Sequence, residues 1–360
     1  MKFVCDRNQL TVAVGSISRI AASRSTMPIL GCVLIKADAN GITLNATNVT
    51  MAASLRLPGT VQEDGSAAVE AKLLADVAQR LPDGVVQMAT DGQRLLVKSG
   101  SVRLKLGILD PKTFPEFPAK PDTEGCAMDA ASLREAIRKV AFATQPNDSN
   151  VMLSAIHLVI DNGWMTLTAL DGHRIAEWSV PAEADGNMDI IVPCADIGEA
   201  CRVFNETEIT LQTDENGIFL STEDAKVRLG RIAGNYFDIN RMVTANYPIA
   251  MEVKREELIG ALERAMLFDR GNDRKPVVLE AVNDTLKVSF ESPFGSSEEE
   301  LALHKEGDDL KIGFNPKFLL DALRAIPDET VRMQMSNSIS PVLMEDEERT
   351  YRHLVLPIRF

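Results

Sequence analysis

The sequence predicts an α+β protein made of three similar domains in tandem. Apolar residues with the spacing of one helix face recur three times, as Leu10, Val14, Ile17; Leu133, Ile137, Val140; and Leu258, Leu262, Ala265. A second helical triplet recurs as Leu74, Ala78, Leu81; Ile197, Cys201, Phe204; and Leu319, Leu323, Ile326. Successive copies lie 122 to 125 residues apart. This period is the size of a small domain and is too long for a solenoid repeat.

Each predicted domain also contains short segments with the alternating pattern of β-strands. One such segment follows the first helix of each domain, over residues 42–46, 165–169 and 286–290. A turn signal precedes each of them, namely Asn40-Gly41, Asn162-Gly163 and Asn283-Asp284. Further alternating segments predict about eight short strands per domain, so that each domain consists of two helices backed by antiparallel sheets.

Two segments without periodicity divide the chain. Residues 111–122 contain four prolines, which restrict the backbone and predict a short, stiff connection. Residues 240–248 occupy the corresponding place before the third repeat. We therefore place the domains at residues 1–122, 123–247 and 248–360.

The composition excludes several classes of protein. No apolar run approaches the roughly 18 residues that a membrane-spanning helix needs, and residues 1–6 lack the long apolar core of a signal peptide. The five cysteines form no CxxC pair, which favours reduced thiols in a cytoplasmic protein over disulfides or a zinc site. A formal charge of −14 argues against binding to nucleic acid, but the sum does not describe where the charges lie. A local basic surface is therefore compatible with this composition.

Four segments carry a resemblance to a known family. They are Met27-Pro28-Ile29-Leu30-Gly31, Asp171-Gly172-His173-Arg174 followed by Ile175-Ala176, Ile312-Gly313-Phe314-Asn315, and Val355-Leu356-Pro357-Ile358-Arg359-Phe360. Each segment alone is weakly specific, but their order and spacing on a threefold repeat make the match specific. On this basis the chain resembles, along its whole length, the bacterial DNA polymerase III β subunit, the replicative sliding clamp.

The resemblance implies a fold and a set of partners. The chain would form a crescent of three DNA-clamp domains, half of a ring, and two crescents would join head to tail as a homodimer. Helices would line the hole, and duplex DNA would pass through it without being read for sequence. The polymerase III α subunit, the clamp loader and repair polymerases would dock through short linear motifs. The resemblance implies no cofactor, no metal and no enzymatic activity.

The Asp-Gly-His-Arg segment has two interpretations. Asp171-Gly172 alone is typical of a tight hairpin turn, because glycine adopts the positive φ that such turns require. In the family this turn and the C-terminal tail border an apolar cleft for partner peptides. Residue by residue, the resemblance implies a cleft formed by Leu153, Leu170, Gly172, His173, Arg174, Ile175, Phe237, Arg241, Met242, Val342, Val355, Leu356, Pro357, Ile358 and Arg359.

The chain departs from the family pattern at four of these or neighbouring positions. Leu170 stands where the family commonly has threonine, and Phe237 stands where it often has proline. Val151 and Met152 replace two tyrosines that can touch DNA in the family. We therefore expect an altered cleft shape and a contact with DNA that is weaker or purely electrostatic.

A catalytic role for His173 with Asp171 is the less favoured alternative. The sequence offers neither of them a nucleophile or third partner, and the other three histidines are scattered. General acid–base catalysis needs groups that converge within hydrogen-bond reach. We therefore expect a protein that is not an enzyme.

Basic residues on the predicted helices and one loop are candidates for contact with duplex DNA. Individually, such residues are more often ordinary solvated positions on a helix face. The resemblance places them around the hole, and it implies DNA contact by Arg24, Lys72, Arg138, Lys139, Arg202 and Lys317. Such contacts stay few and salt-sensitive, because topology rather than affinity keeps a ring on the duplex.

Closure of a ring requires an interface between two copies of the chain. In the family an edge strand of the first domain pairs with a strand of the third. Here this implies that Leu104 and Leu106 face Leu267 and Phe268, with Lys105 and residues 298–300 around them. For Leu267 a position in the core of its own domain is an equally good interpretation.

Two functions remain open from the sequence. The first is a replicative sliding clamp that gives DNA polymerase its processivity. The alternative is a divergent clamp paralogue that binds clamp-targeting peptides or inhibitors without serving as the main replication clamp. Leu170, Phe237, Val151 and Met152 motivate the alternative.

Overall fold

The computed structural model describes residues 1–182, 187–204, 208–243, 246–269 and 275–360. Within these ranges the chain contains six α-helices: α1 (Arg7–Ile17), α2 (Ala71–Arg80), α3 (Ala130–Ala141), α4 (Cys194–Ala200), α5 (Arg255–Met266) and α6 (Pro316–Ala325). Two fall in each predicted repeat, and all the apolar triplets that predicted them are buried. Helix α4 ends at Ala200, so Cys201 and Phe204 of its predicted triplet follow the helix instead of belonging to it.

The strands also follow the threefold repeat. The first repeat contains β1 (Lys2–Asp6), β2 (Cys32–Asp38), β3 (Gly41–Thr47), β4 (Met51–Leu57), β5 (Gly59–Glu63), β6 (Gly65–Glu70), β7 (Val85–Asp91), β8 (Arg94–Ser99) and β9 (Val102–Gly107). The second contains β10 (Cys126–Asp129), β11 (Ala155–Asp161), β12 (Trp164–Leu170), β13 (Arg174–Pro181), β14 (Met188–Pro193), β15 (Glu208–Asp214), β16 (Gly217–Ser221) and β17 (Ala225–Gly230). The third contains β18 (Ile249–Lys254), β19 (Val277–Val282), β20 (Thr285–Ser292), β21 (Gly295–Glu306), β22 (Leu310–Phe314), β23 (Thr330–Met335), β24 (Val342–Glu345) and β25 (Tyr351–Val355).

The chain divides into two compact units. The first unit consists of Met1–Arg134 and Ala182–Ile232, and the second consists of Glu135–Pro181 and Ala233–Phe360. The first unit contains a five-stranded sheet in the order β5-β1-β7-β8-β9 and an eight-stranded sheet in the order β10-β15-β16-β17-β4-β3-β2-β6. In the second unit the strand order is β11-β12-β13-β25-β24-β23-β18-β21-β20-β19-β22.

Strand pairing explains why the residues predicted as a central domain contribute to both units. In the first unit β17 pairs antiparallel with β4, with Val227 opposite Ala53. In the second unit β13 pairs antiparallel with β25, with Ala176 opposite His353. Backbone hydrogen bonds satisfy the strand edges at both places, so each unit has a sheet that is continuous across the sequence repeats.

Polar side chains define where the helices begin. Asp6 precedes α1, and its Oδ1 accepts hydrogen bonds from the amides of Asn8 and Gln9 at 2.8 and 3.2 Å. Asn315 precedes α6, and its Oδ1 accepts from the amide of Lys317 at 3.0 Å. Pro316 then occupies the first turn of α6, where its missing N–H costs nothing. The start of α6 is thus fixed by the last residue of the predicted Ile-Gly-Phe-Asn segment.

The segments predicted as connections contain little regular structure. Residues 111–113 form one 3₁₀ turn, and the chain is irregular from there to β10. Residues 239–241 form another 3₁₀ turn, and Thr244 and Ala245 of the predicted second connection lie outside the described residues. The alternating pattern of residues 351–358 predicts a final strand, but β25 ends at Val355. The Leu356 amide still donates to the His173 carbonyl at 2.9 Å, which continues the register of the β13–β25 pair by one residue.

None of the helices in the described residues is long and apolar enough to span a membrane.

One histidine is enclosed in the core of the second unit. His353 is fully buried, and its Nδ1 lies 3.2 Å from the Tyr351 hydroxyl. Its Nε2 has no hydrogen-bond partner among the described residues. Burial, together with the positive charge of Arg174, lowers the pKa of His353 to about 3. The imidazole is therefore neutral at physiological pH and belongs to the core, not to a titrating site.

This burial predicts a specific loss of stability in mild acid. Between pH 6.5 and about 3 the unfolded chain takes up a proton at His353 that the folded chain does not, so the free energy of unfolding falls as the pH falls. From pH 7 to pH 5 the loss should be about 2 kcal/mol. The variant His353→Gln should lose correspondingly less, as measured by urea unfolding at both pH values.

His304→Gln is the control for that measurement, because the His304 side chain is exposed. It should lose as much stability between the two pH values as the unmodified chain. An equal loss in all three proteins would contradict the assignment of the acid sensitivity to His353.

Candidate functional site

One cavity in the second unit has an almost wholly apolar wall. Its volume is about 320 Å³. It is lined by Asn150, Leu153, Leu170, Gly172, His173, Arg174, Ile175, Phe237, Met242, Pro341, Leu354 and Leu356. An apolar cleft of this size with a few polar groups at its border is the usual form of a ligand-binding site.

The floor of the cavity is the surface of a hydrophobic core. Five buried residues form this core cluster, namely Leu170, Ile175, Ile239, Leu343 and Leu354. Five half-buried side chains pack against it, namely Leu153, Tyr236, Phe237, Val243 and Tyr247. Because close-packed cores deform little, the shape of the cleft exists before any ligand binds.

The Asp-Gly-His-Arg segment builds one wall from a tight turn between β12 and β13. The Asp171 carboxylate accepts hydrogen bonds from the amides of His173 and Arg174, at 2.9 and 3.0 Å. Gly172 has a φ of 84°, a conformation that glycine adopts without strain. The hairpin interpretation of Asp171-Gly172 is therefore correct, and the same turn also directs His173 toward the cavity.

The C-terminal tail builds the neighbouring wall. The Leu356 amide donates to the His173 carbonyl at 2.9 Å, which places the exposed Leu356 side chain at the cavity. Farther along, the Ile358 amide donates to the Gly313 carbonyl at 2.7 Å, close to the start of α6. The tail is thus attached to the second unit at both of these points.

Phe237 packs against a row of aromatic rings. The Phe237 ring meets Tyr236 edge to face at 5.5 Å between centroids, and Tyr236 in turn lies 5.0 Å from the His157 ring. The Tyr236 hydroxyl donates to the Ala155 carbonyl at 3.4 Å. Phe237 therefore forms a firm side of the cleft, where the resemblance leads us to expect proline.

The structure brings together most, but not all, of the residues predicted for the cleft. Nine of them line it: Leu153, Leu170, Gly172, His173, Arg174, Ile175, Phe237, Met242 and Leu356. Val342 and Val355 are fully buried and lie opposite each other in β24 and β25, so they support the cleft from within the sheet. Arg241, Pro357, Ile358 and Arg359 are not among the lining residues.

Sequence reasoning missed three lining residues, Asn150, Pro341 and Leu354. Leu354 precedes Val355 in a strand, so attention to both faces of β25 would have found it. Asn150 and Pro341 come from irregular segments and carry no periodic signal.

The cations proposed for DNA contact differ in their surroundings. Arg24, Lys72 and Lys317 are exposed, and the described residues offer them no ion-pair partner. Arg138 and Arg202 are exposed but pair with nearby acids: Arg138 with Glu135 of the same helix at 3.5 Å, and Arg202, just after α4, with Glu199 at 3.0 Å. Exposed pairs of this kind are weak and are screened by salt.

Lys139 is a correction to the predicted set. Its side chain is buried, its ammonium donates to the Ala325 carbonyl, and it lies 4.7 Å from the centroid of the Trp178 ring. Burial lowers the pKa of Lys139. A lysine on the flank of an amphipathic helix looks exposed from sequence alone, but tertiary packing covers this one, and it leaves the DNA-contacting set.

Strands β9 and β21 each have a backbone edge without a strand partner in the described residues. In the first unit β9 is the outermost strand of its sheet and pairs only with β8, with Leu106 opposite Leu95. In the second unit β21 pairs with β20 over residues 295–302 but meets β18 only over residues 303–306. One edge of residues 295–302 therefore has no strand partner within the described part of the chain.

The residues predicted around these edges lie at different depths. Leu267 is exposed, Leu104 and Phe268 are half-buried, and Leu106 is buried. Leu267 therefore does not belong to the core of its own domain, and that alternative is wrong. Phe268 packs under the β20–β21 turn, where its carbonyl accepts a hydrogen bond from Ser292 Oγ at 2.9 Å.

The described residues contain no candidate metal site. There, no three histidine, cysteine or acidic side chains are grouped to hold a metal ion. Burial raises the pKa of both the Cys5 and Cys201 thiols to about 12, so neither is a thiolate nucleophile near neutral pH. Arg174 forms ion pairs with Asp171 at 2.9 Å and Asp321 at 2.7 Å, which leaves His173 and Asn150 as the polar groups at the border of the cleft.

Comparison with known proteins gives relatives that match the chain from end to end. A beta sliding clamp from Synechocystis is 26% identical over 390 aligned positions, which cover 100% of this chain and 99% of the relative. Another from Staphylococcus aureus is 25% identical, with 100% and 99% covered.

Solved structures of the same kind share the fold. The crystal structure of a DNA polymerase III beta subunit from Eubacterium rectale matches with a TM-score of 0.96 at 28% identity, covering 100% of this chain and 99% of that one. A sliding clamp from Pseudomonas aeruginosa bound to griselimycin matches with a TM-score of 0.94 at 26% identity, covering both chains fully, at 100% each.

Family models describe three consecutive domains in this sequence. The N-terminal domain of the DNA polymerase III beta subunit matches residues 1–118, the central domain matches residues 127–248, and the C-terminal domain matches residues 240–359. The fold of two helices backed by antiparallel sheets in each of three domains, predicted from the repeats, is therefore confirmed. The chain belongs to the DNA polymerase III beta subunit family.

Proposed function

We propose that this protein is a replicative sliding clamp: a homodimeric ring that encircles duplex DNA and tethers DNA polymerase and other replication and repair proteins. The observation that carries the proposal is the apolar cleft between the Asp171–Arg174 turn and Leu356, in a chain that matches the family over its full length. The protein acts without catalysis, as a processivity factor in the cytoplasm. No cofactor is required.

The cleft supports binding of short linear motifs. Its wall is formed mainly by side chains such as Leu153, Phe237 and Met242, which bury aliphatic or aromatic anchors of a peptide. Asn150 and His173 at the border supply polar groups that orient the peptide backbone. The DNA polymerase III α subunit, the clamp loader and repair polymerases are the proposed partners. The relative from Pseudomonas aeruginosa binds griselimycin, and we propose the same capacity for this chain.

The two open strand edges support a head-to-tail dimer. Strand β9 carries the exposed cations Arg103 and Lys105, and the open part of β21 carries Glu298, Glu299 and Glu300. Pairing β9 of one copy with β21 of another would satisfy both edges and bring opposite charges together. The contact joins two different surfaces, and it gives a closed ring of two copies when each contact relates the copies by half a turn.

The exposed cations support a loose contact with duplex DNA. Arg24, Lys72, Arg138, Arg202 and Lys317 are retained as proposed phosphate contacts, although the protein as a whole carries a charge of −14. Weak contacts suit a ring, because the closed ring is held by topology and must still slide.

The alternative of a paralogue outside replication gains no support. Leu170 belongs to the buried core under the cleft, and Phe237 forms one of its sides. The cleft therefore forms although Leu170 and Phe237 depart from the family pattern. These two residues change the shape of the cleft but do not abolish it.

The central prediction concerns topology. After loading by a bacterial clamp loader, the protein should stay on circular nicked plasmid and be lost from the same plasmid once it is linearised, because it can slide off a free end. Retention is measured by gel filtration of the labelled protein with DNA, and solution mass is measured alongside. Equal retention on both substrates, or a monomeric mass, would contradict the ring mechanism.

A second prediction concerns the cleft. Leu356→Asp places a charge in its wall and should weaken binding of a polymerase III α-subunit peptide by about tenfold or more, measured by fluorescence anisotropy. Stability should be unchanged, because the Leu356 side chain is exposed and its amide still bonds to His173. Val282→Asp is the matched control, since Val282 is also exposed but does not line the cavity. Equal affinities for both variants would count against this cleft.

A third prediction concerns dimer formation. Glu298 pairs with Lys287 and Glu299 with Arg264 within the chain, which leaves Glu300 as the acid available to a cation of β9. Either Lys105→Glu or Glu300→Lys should raise the dimer dissociation constant by about tenfold, and the double variant should recover most of the loss. Analytical ultracentrifugation measures all three.

Glu63→Lys is the control for the dimer experiment. It reverses an exposed charge on β5, the opposite edge of the same sheet as β9, and should leave the dimer intact. If the loss of dimer affinity in the double variant equalled the sum of the two single losses, the proposed pairing of β9 with β21 would be contradicted.

A further inference from the structure

Arg174 differs from the other polar residues at the cleft because its charge is directed into the protein. Its side chain is only 6% exposed. All three guanidinium nitrogens have partners: Nε donates to Asp171 Oδ2 at 2.9 Å, Nη1 donates to Asp321 Oδ2 at 2.7 Å, and Nη2 donates to the Phe142 carbonyl. A peptide in the cleft therefore meets the stem of Arg174 and not its charge.

Two aromatic rings hold the same guanidinium in place. Its central carbon lies 4.3 Å from the Phe318 centroid and 5.2 Å from the Phe142 centroid. The Phe318 ring is also stacked with His173 at 6.3 Å, with an angle of 24° between the rings. Ion pairs and ring contacts together fix the guanidinium in position and orientation.

These contacts attach the cleft to helix α6. Asp321 and Phe318 both belong to α6, and they reach the turn between β12 and β13 through Arg174 and His173. The turn in turn holds the tail, because the His173 carbonyl accepts the Leu356 amide. Two walls of the cleft, the turn and Leu356, therefore depend on the same buried ion pair.

We propose that Arg174 and Asp321 are positioning residues for partner binding, acting together to hold the turn and the tail in the geometry that a partner peptide recognises. Asp321 does not line the cavity, so its effect on binding is exerted entirely through Arg174. This inference rests on the proposed function of the cleft as a peptide site.

The physical basis is the cost of leaving a buried charge unpaired. If Asp321 loses its carboxylate, the guanidinium keeps Asp171 but loses the partner that ties it to α6. A buried ion with fewer partners moves to recover solvation or other hydrogen bonds. Movement of the guanidinium carries the turn with it, because Asp171 and Arg174 belong to that turn.

The test is the affinity for a fluorescent peptide with a leucine and a phenylalanine as its anchors, measured by anisotropy on the dimeric full chain. Asp321→Asn should weaken binding about threefold to thirtyfold, the range for residues that act on a site without touching its ligand. Asp321→Glu, which keeps the charge, should weaken it less. Glu263→Gln is the matched control. Glu263 belongs to α5, and its carboxylate pairs at 2.7 Å with Arg324, which lies on α6 as Asp321 does; neither Glu263 nor Arg324 lines the cavity.

Two further measurements separate positioning from general destabilisation. The double variant Arg174→Met with Asp321→Asn should bind no more weakly than Arg174→Met alone, because both changes break one interaction. Hydrogen exchange at the Leu356 amide should speed up in Asp321→Asn, whereas amides of β9 should not change.

Three results would overturn the inference. They are binding of Asp321→Asn within twofold of the unmodified chain, weakened binding with unchanged protection of the Leu356 amide, and additive losses in the double variant. If the unmodified chain does not bind the peptide, that result contradicts the proposed function of the cleft and not the positioning role of Arg174 and Asp321 alone.

Discussion

Antiparallel pairing between strands that are distant in the sequence is the constraint on which both units depend. In the second unit β13 pairs with β25, so that Arg174 lies opposite Val355. This register brings the Asp171–Arg174 turn beside the last residues of the chain, and the cleft lies where these two segments meet. In the first unit β17 pairs with β4, whereas β9 is left at the edge of its own sheet. The same backbone ladders therefore set the position of the cleft and of the unpaired edge.

The repeated helices and strands could be predicted because their signals are local. A helix that covers a sheet needs apolar residues on one face, and Leu10, Leu133 and Leu258 mark that face in the three repeats. Asn315 before Pro316 similarly marks the start of α6. The split of residues 123–247 between two units was not predictable in this way, because no single-sequence pattern records which strands meet across repeats.

The cleft could be predicted in part, and only where local chemistry agreed with the resemblance. Asp171-Gly172 predicted the turn, and the structure adds that the Asp171 carboxylate closes it. The inward direction of Arg174 depends on Asp321, which lies 147 residues away. The prediction that Lys139 contacts DNA was wrong for the same reason. Its partners, Trp178 and Ala325, are remote in the sequence, and helix periodicity does not reveal them.

Because the Arg174 guanidinium already donates hydrogen bonds within the protein, it constrains which chemical groups an inhibitor of this cleft can use. A compound that directs a carboxylate at this cation would meet nitrogens already bonded to Asp171, Asp321 and the Phe142 carbonyl. With three of the five guanidinium N–H groups already engaged and the side chain only 6% exposed, the carboxylate would lose more hydration than it gains in hydrogen bonding. Affinity has to come from apolar groups that fill the cleft beside Phe237, whose ring provides surface for burial. Neutral, lipophilic chemistry therefore suits this cleft better than acidic mimics of a peptide.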